Sequence, residues 1–295
     1  MKIFLGPAKA QHNRSLANLT PQWYLYGQVM SQYFHQPDID PVLIHIWGPF
    51  QIRWYSLLFV GGFLVGRYIL RRLAREERFQ FTPEDMDQFT MWLLVGAVIG
   101  ARIIYCFVYD PESFFANPLY LFQIYKGGLS FHGGLLGTVV AGWIFAKQKQ
   151  IPLWNLLDAM SLATPTGLAM GRLGNFINGE LWGRVSYVPW AVIFKHGGPE
   201  PRHPSQLYEL FLEGIVLFSV LWLLKNKLRR DGELTIVFLI GYSLSRFIVE
   251  FFRQPDPQLG FLIFGLSMGQ ILSVLMFLAS AGVGYWRWKQ LQSEN

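Results

Sequence analysis

Charge is what this chain has least of. Only 15% of its 295 residues are charged, where a soluble domain carries about a quarter. Apolar residues fill the gap, at 52% of the chain with aromatics at 17%. Cysteine is nearly absent: Cys106 stands alone, which excludes an intrachain disulfide and a cysteine-based metal cluster. It lies in an apolar run beside Ile104 and Phe107, the setting of an inert buried thiol rather than a nucleophile. The six histidines (His12, His35, His45, His132, His196, His203) lack H-x-x-x-H or H-E-x-x-H spacing. A zinc ion needs three or four converging ligands, and the pattern offers none. No G-K-[ST] phosphate loop occurs. The first 50 residues lack a secretory signal pattern, since Met1 to Leu5 is too short for an apolar core and Gln11 to Pro21 is polar.

What the chain does have is length of apolar run. About 20 apolar residues cross a bilayer core of about 30 Å as helix. Seven stretches approach that, at about 52–70, 89–108, 128–146, 153–177, 205–224, 234–252 and 261–285. The expected fold class is therefore all-α, a polytopic membrane protein with about seven transmembrane helices. Between them, 109–126 carries Asp110-Pro111 and Asn117-Pro118 and reads as a loop with a surface helix, and 179–204 is a Gly- and Pro-rich connection.

The net charge of +6 does not point to nucleic acid, because the cations sit in short clusters beside apolar runs. Twelve basic residues follow the first, third, fifth and seventh runs, among them Arg71, Arg72, Lys147, Lys225 and Arg230, against five in the opposite connections. The positive-inside tendency puts the first set in the cytoplasm. The amino terminus is then expected outside and the carboxyl terminus cytoplasmic. This orientation gathers five polar clusters at the outer ends of the runs: Tyr55 beside Arg53, His132, Arg172 to Arg184, Arg202 to Glu209, and Arg246, Glu250 and Arg253. One water-accessible cavity in the outer half of the bilayer would accommodate all five.

The densest of these is Gly-Arg-Leu-Gly-Asn-Phe-Ile-Asn-Gly-Glu-Leu-Trp-Gly-Arg at 171–184. Ionised groups at membrane depth are costly unless paired, so their presence is a functional hypothesis by default. On a helix Arg172, Asn175 and Asn178 step by three and share a face. Two asparagines alone would read as a polar packing seam; an arginine and Glu180 in the same block favour a site. Arginine suits a phosphodiester, because its planar fork donates two hydrogen bonds and stays charged. The competing role is ion pairing, since Arg246 and Glu250 lie four apart and Glu250 and Arg253 three apart. A lone histidine such as His132 at a helix start is more often structural; its glycine neighbours and the arginines at the same depth argue for an acid–base role. These parts serve an enzyme and a non-enzymatic lipid or anionic-solute transporter about equally, although transporters often show two related halves and a midplane site.

The block also resembles the signature Gly-Arg-x-x-Asn-Phe-x-Asn-x-Glu-x-x-Gly of the bacterial prolipoprotein diacylglyceryl transferases. Three more stretches are similar to the same family: Gly-Gly-Leu-Ser-Phe-His-Gly-Gly at 127–134, Arg-His-Pro-Ser-Gln-Leu-Tyr-Glu at 202–209, and Arg-Phe-Ile-Val-Glu-Phe-Phe-Arg at 246–253. The resemblance spans about residues 30–290 as a single transmembrane catalytic domain, preceded by an extension over 1–29 and followed by a cytoplasmic tail over 291–295. It implies a transferase of the bacterial cytoplasmic (inner) membrane with its site towards the outer leaflet. Its expected partners are phosphatidylglycerol, prolipoprotein signal peptides with a lipobox cysteine, and the lipid bilayer. The reaction implied moves diacylglyceryl to that cysteine's thiol and releases glycerol phosphate, with no cofactor or metal. By the same resemblance His132 would be the base, and Arg172 and Arg246 would hold the phosphate. Asn175, Asn178 and Tyr55 would position the headgroup, Glu180 and Glu250 would orient the arginines, Arg253 would join the substrate-binding set, and Gly183 would allow close backbone approach. The outer segment from Trp182 to Arg202 is short beside family members that carry a larger arm there.

Overall fold

The computed structural model describes residues 32–47, 50–255 and 260–293; the expected extension over 1–29 lies outside them. It is mostly helical, and each expected apolar run carries a long helix. These are α1 (Trp54–Leu73), α2 (Pro83–Tyr109), α3 (Phe131–Lys149), α4 (Leu153–Asn178), α5 (Ser205–Leu224), α6 (Glu233–Glu250) and α7 (Met268–Ser293). Strands are few: a parallel pair of β1 (Phe34–His35) with β4 (Val192–Ile193), and an antiparallel hairpin of β2 (Val42–Trp47) with β3 (Phe50–Arg53).

Among the described residues three helices are long and apolar enough to cross a membrane: Pro83–Tyr109, Ser205–Leu224 and Met268–Gln290. α4 and α6 are less apolar because polar groups on them turn inward, among them Asn155, Asp158 and Asn175 on α4 and Ser243 and Glu250 on α6. The molecule is inside-out relative to a soluble domain. Leu57, Phe59 and Leu64 on α1, Val95 and Ile99 on α2, Leu135 and Val139 on α3, and Leu275 and Leu278 on α7 are all exposed. Gln206, Glu209, Glu213 and Asp158 are fully buried. A surface so apolar is what a lipid solvent requires.

Helix ends follow local chemistry. Thr82 and Asp85 form a reciprocal capping box before α2, with Pro83 in the first turn. α3 starts at Phe131, three residues later than its apolar run, because Gly127 and Gly128 hold positive φ and Ser130 then caps Gly133 N at 3.2 Å. α7 starts seven residues later than expected. Gly260, Phe264 and Gly265 have left-handed backbones, which break a continuous helix, and Ser267 supplies the turn into it by accepting from Gln270 N.

α4 is the axis. It packs against α1, α5 and α6, while α2 and α3 pair with one another and α6 with α7. The α2–α3 pair closes tightly because Gly96 and Gly100 face Gly137: a side chain at Gly137 would run into the Gly96 carbonyl. At one end of α4 an apolar core gathers Leu73, Met86, Phe89, Phe145, Leu156, Leu162, Leu221 and Leu234. There Asp158 caps the start of α6, accepting from Gly232 N at 3.0 Å, Thr235 N at 2.8 Å and Thr235 Oγ1 at 2.7 Å, and it pairs with Arg78 at 2.9 Å. Negative charge at a helix start satisfies orphan N–H groups and the helix dipole together. Arg172 lies fourteen residues further along α4, about 21 Å away at 1.5 Å per residue.

Candidate active site

At that second end three arginines from two helices and a loop meet one carboxylate. Glu209 on α5 is completely buried. Its Oε2 lies 2.5 Å from Arg172 Nε and 3.2 Å from Arg246 Nη1, and its Oε1 accepts from Arg253 Nη1 at 3.0 Å. Glu250 completes the set, 3.0 Å from Arg246 Nη2 and 3.8 Å from Arg253 Nε, and accepts from Ser267 Oγ at 3.0 Å. Gly269 makes room for this carboxylate, since a Cβ there would sit 2.5 Å from Glu250 Cδ.

Alignment distinguishes these contacts. Glu209 Oε2, Glu250 Oε2 and Arg246 Nη1 are buried without a well-formed hydrogen bond, although oppositely charged atoms lie close. Three guanidiniums are paired with two carboxylates, and the buried Glu213 lies one turn beyond Glu209 on the same helix. A phosphodiester carries one negative charge and offers oxygens in the fork geometry that arginine matches. A cleft of about 320 Å³ opens on this cluster, lined by Leu181, Trp182, Arg246, Glu250, Arg253 and Met268 among others.

The signature block divides its work. Gly179 ends α4 in a left-handed turn. The chain folds back so that Glu180 Oε1 accepts from Asn175 Nδ2 at 2.9 Å and Asn178 Nδ2 at 3.2 Å. Glu180 therefore holds the asparagines and reaches Arg172 only through Asn175, whose Oδ1 lies 3.5 Å from Arg172 Nη1. The carboxylates in direct contact with the arginines are Glu209 and Glu250. Gly183 does permit close backbone approach, and the backbone in question is the protein's own: its N–H donates to His203 O at 2.9 Å and a side chain would meet the Phe252 carbonyl. Arg184 pins the same strand by donating to Arg253 O at 2.9 Å and Glu250 O at 3.2 Å. Tyr55, at the start of α1, lays its ring against Gly174, where a Cβ would lie 2.8 Å away.

His132 stands apart from this cluster. It is exposed in the first turn of α3, its ring 5.7 Å from that of Phe131, and no hydrogen bond or ion pair ties it to the arginines. What fixes its segment is Arg102, a residue the apolar pattern hides. The Arg102 side chain is buried and donates to the carbonyls of Tyr120, Leu121, Gly127 and Gly128 at 2.5–3.0 Å. Glu213, one turn beyond Glu209, was equally hidden: it is fully buried and neither carboxylate oxygen has a hydrogen-bond partner among the described residues. Two glutamates four apart inside an apolar run were the available signal.

Two other groups near the site have structural jobs. Gly265 to Gly269 has the G-x-S-x-G spacing of a nucleophile elbow. Ser267, however, turns into α7 with its hydroxyl given to Glu250, and among the described residues no histidine is hydrogen-bonded to it. His203, in the connection between α4 and α5, shares its Nδ1 with Tyr208 OH at 3.0 Å, and Trp190 Nε1 donates to the same oxygen at 2.6 Å. Burial, and then the charge of Arg184, push the His203 imidazole below its usual range.

Comparison with known proteins agrees with this geometry. The family model for prolipoprotein diacylglyceryl transferase matches residues 41–286. Proteins named phosphatidylglycerol–prolipoprotein diacylglyceryl transferase are similar along nearly their whole length. That of Idiomarina loihiensis is 47% identical over 84% of this chain and 93% of its own. That of Bordetella bronchiseptica is 48% identical over 86% and 96%, and that of Coxiella burnetii 44% over 86% and 98%. The signature block, the arginines gathered behind it and this extent of identity lead to one conclusion: the chain belongs to the prolipoprotein diacylglyceryl transferase family.

Proposed function

We propose that this protein transfers the diacylglyceryl group of phosphatidylglycerol to the thiol of a prolipoprotein's lipobox cysteine. The observation that carries the reading is the meeting of Arg172, Arg246 and Arg253 on the buried Glu209. The sulfur attacks the glycerol carbon that bears the phosphate ester; a C–S bond forms as the C–O bond breaks. The electron pair leaves on glycerol phosphate, a weak base that needs charge stabilisation more than a proton. Arg172 and Arg246 supply it, with Arg253 beside them. Their poorly aligned pairs with Glu209 exchange for phosphate oxygens at less cost than ideal ones would. Asn175 and Asn178, held by Glu180, and Tyr55 position the headgroup.

The thiol must lose its proton, because at an unperturbed pKa near 8.5 only a few per cent is ionised at neutral pH. His132 takes it. Its glycine surroundings leave space for an acceptor peptide between the start of α3 and the arginines.

In this reading the protein crosses the bacterial cytoplasmic membrane seven times, amino terminus outside, with the arginine cluster in the outer half. The basic asymmetry and the exposed apolar belt support that topology. Reporter fusions after Arg78, Lys149 and Arg230 should read cytoplasmic and one within 109–127 outside; a cytoplasmic result for the last would overturn it. Residues 30–290 form the catalytic domain, so a chain starting at Met30 retains activity.

The decisive assay mixes purified protein, labelled phosphatidylglycerol and a lipobox peptide. A thioether-linked diacylglyceryl peptide is the expected product. Lipid movement without that product would sink the transferase reading and favour transport.

A further inference from the structure

A second polar cavity lies at the other end of α4, beyond the apolar core. It holds about 700 Å³ between the α1–α2 connection, the α5–α6 connection and α7. Five cations line it (Arg78, Lys225, Arg229, Arg230 and Arg287) against the carboxylates of Glu76, Glu77 and Asp231.

Two of those cations belong to the wall. Arg78 is fixed between Asp158 and the Lys225 carbonyl, and Lys225 is paired with Glu76. The other three have no carboxylate partner among the described residues. Arg229 donates only its Nε, to Asn226 O at 3.1 Å, and Arg287 donates its Nε to Asp231 O at 3.1 Å and Nη1 to Gln290 at 3.3 Å. Among the described residues Arg230 bonds only through its backbone N–H, to Glu233 Oε2 at 3.1 Å. Bracing through Nε leaves both outer nitrogens of Arg229 and the Nη2 of Arg287 for an oxyanion, and with Arg230 beside them the three guanidiniums suit a phosphate better than a single carboxylate.

The depth of the cavity identifies the source of that phosphate. Lys225 follows directly on the last residue of the spanning helix α5. Trp222 lies under Arg72 at 5.5 Å and Lys225 at 4.5 Å, and Trp154 lies under Arg287 at 5.9 Å. Tryptophans with cations over them mark the headgroup level of a bilayer. We infer that this cavity is a binding site for the phosphate headgroup of an anionic phospholipid in the leaflet opposite the arginine–glutamate cluster, held by Arg229, Arg230 and Arg287. The site is independent of the transfer reaction and needs only that the protein spans the membrane.

A local readout tests it. A benzoylphenylalanine crosslinker replaces Asn226, which lines the cavity, and the protein is placed in phosphatidylcholine nanodiscs doped with phosphatidic acid carrying a clickable tail. Illumination should attach phosphatidic acid at position 226. The triple variant R229Q/R230Q/R287Q should lose about ten-fold of that capture, the weight of about one charge-assisted hydrogen bond or more. Because removing three cations also disturbs topology, R229K/R230K/R287K is run beside it: charge is kept, the fork is lost, and capture should still fall. Unchanged capture in both variants would overturn the site. So would equal capture of a clickable phosphatidylcholine, which would mean a neutral lipid shell. Suppression by an equal concentration of inorganic phosphate would overturn the lipid assignment in favour of a soluble anion.

Discussion

Two buried carboxylates organise opposite ends of this molecule, and their surroundings differ in kind. Asp158 is satisfied on every side: one arginine, two backbone N–H groups and a hydroxyl, all at 2.7–3.0 Å. Glu209 faces three arginines, yet one of its oxygens has no well-formed hydrogen bond, and Arg246 Nη1 and Glu250 Oε2 share that condition. A saturated node has nothing left to offer a ligand and serves stability. An under-satisfied node in low dielectric holds electrostatic energy that a ligand of opposite charge can use. The Asp158 end should therefore answer to mutation in stability and the Glu209 end in chemistry.

The largest effect expected is at His132. His132→Gln should lower turnover by about 10²- to 10⁴-fold, the usual cost of removing a general base, while phosphatidylglycerol still binds. Raising the pH should restore part of the loss, because more of the acceptor thiol ionises unaided. The thermal midpoint should not move, since His132 bonds to neither node. A variant that is dead at every pH and binds no lipid would make His132 a positioning residue.

Next comes the Asp158 node. Asp158→Asn keeps the shape but strips the charge from beneath Arg78 and the start of α6. Breaking a buried pair from one side typically costs about 3–5 kcal/mol, so membrane abundance and thermal midpoint should drop. Protein that survives should show wild-type KM. A raised KM with unchanged stability would erase the division between the two ends.

Arg172→Lys is the mirror experiment, with a smaller effect. It keeps the charge at Glu209 and loses the fork, so lipid affinity and turnover should both fall, by about ten-fold, near the worth of one charge-assisted hydrogen bond. Alkaline pH should not repair it, which separates it from His132→Gln. Stability should change little, because the Lys ammonium still neutralises Glu209.

Much of this was legible in the sequence, for identifiable reasons. Apolar runs mark helices because lipid leaves the backbone no other partner, and all seven intervals carry one. The i, i+3 and i+4 spacings of Arg172, Asn175, Arg246, Glu250 and Arg253 put them on usable faces, and the fold brings them together. What spacing could not show was which carboxylate an arginine chooses. Glu180 was the neighbour in sequence, but the reversal at Gly179 turns it onto the asparagines, and Glu209 arrives from another helix. Arg102 and Asp158 were invisible for a similar reason. Each acts on backbone groups of a distant segment, and backbone partners leave no trace in side-chain pattern. The late start of α7 came from Phe264, Gly260 and Gly265, whose left-handed turns interrupt a run that hydropathy alone reads as continuous.

The smallest expected effect concerns the connection between α4 and α5, which Arg184 ties to Glu250 and Arg253. His203 packs against Tyr208 and Phe252 and is kept below its usual pKa by burial and then by Arg184. The folded protein therefore binds fewer protons here than the unfolded chain does as pH falls through the ordinary histidine range, near 6.5. By linkage, stability held above that range is lost as pH falls through it. Hydrogen exchange at the Gly183 and Arg184 amides, which bond to His203 O and Phe252 O, should speed up on mild acidification while Asp158-capped Thr235 stays protected. His203→Gln should flatten that response, with turnover at neutral pH near wild type. If Thr235 loosens in step with Gly183, the two ends unfold as one unit and the contrast between their nodes does not extend to local stability.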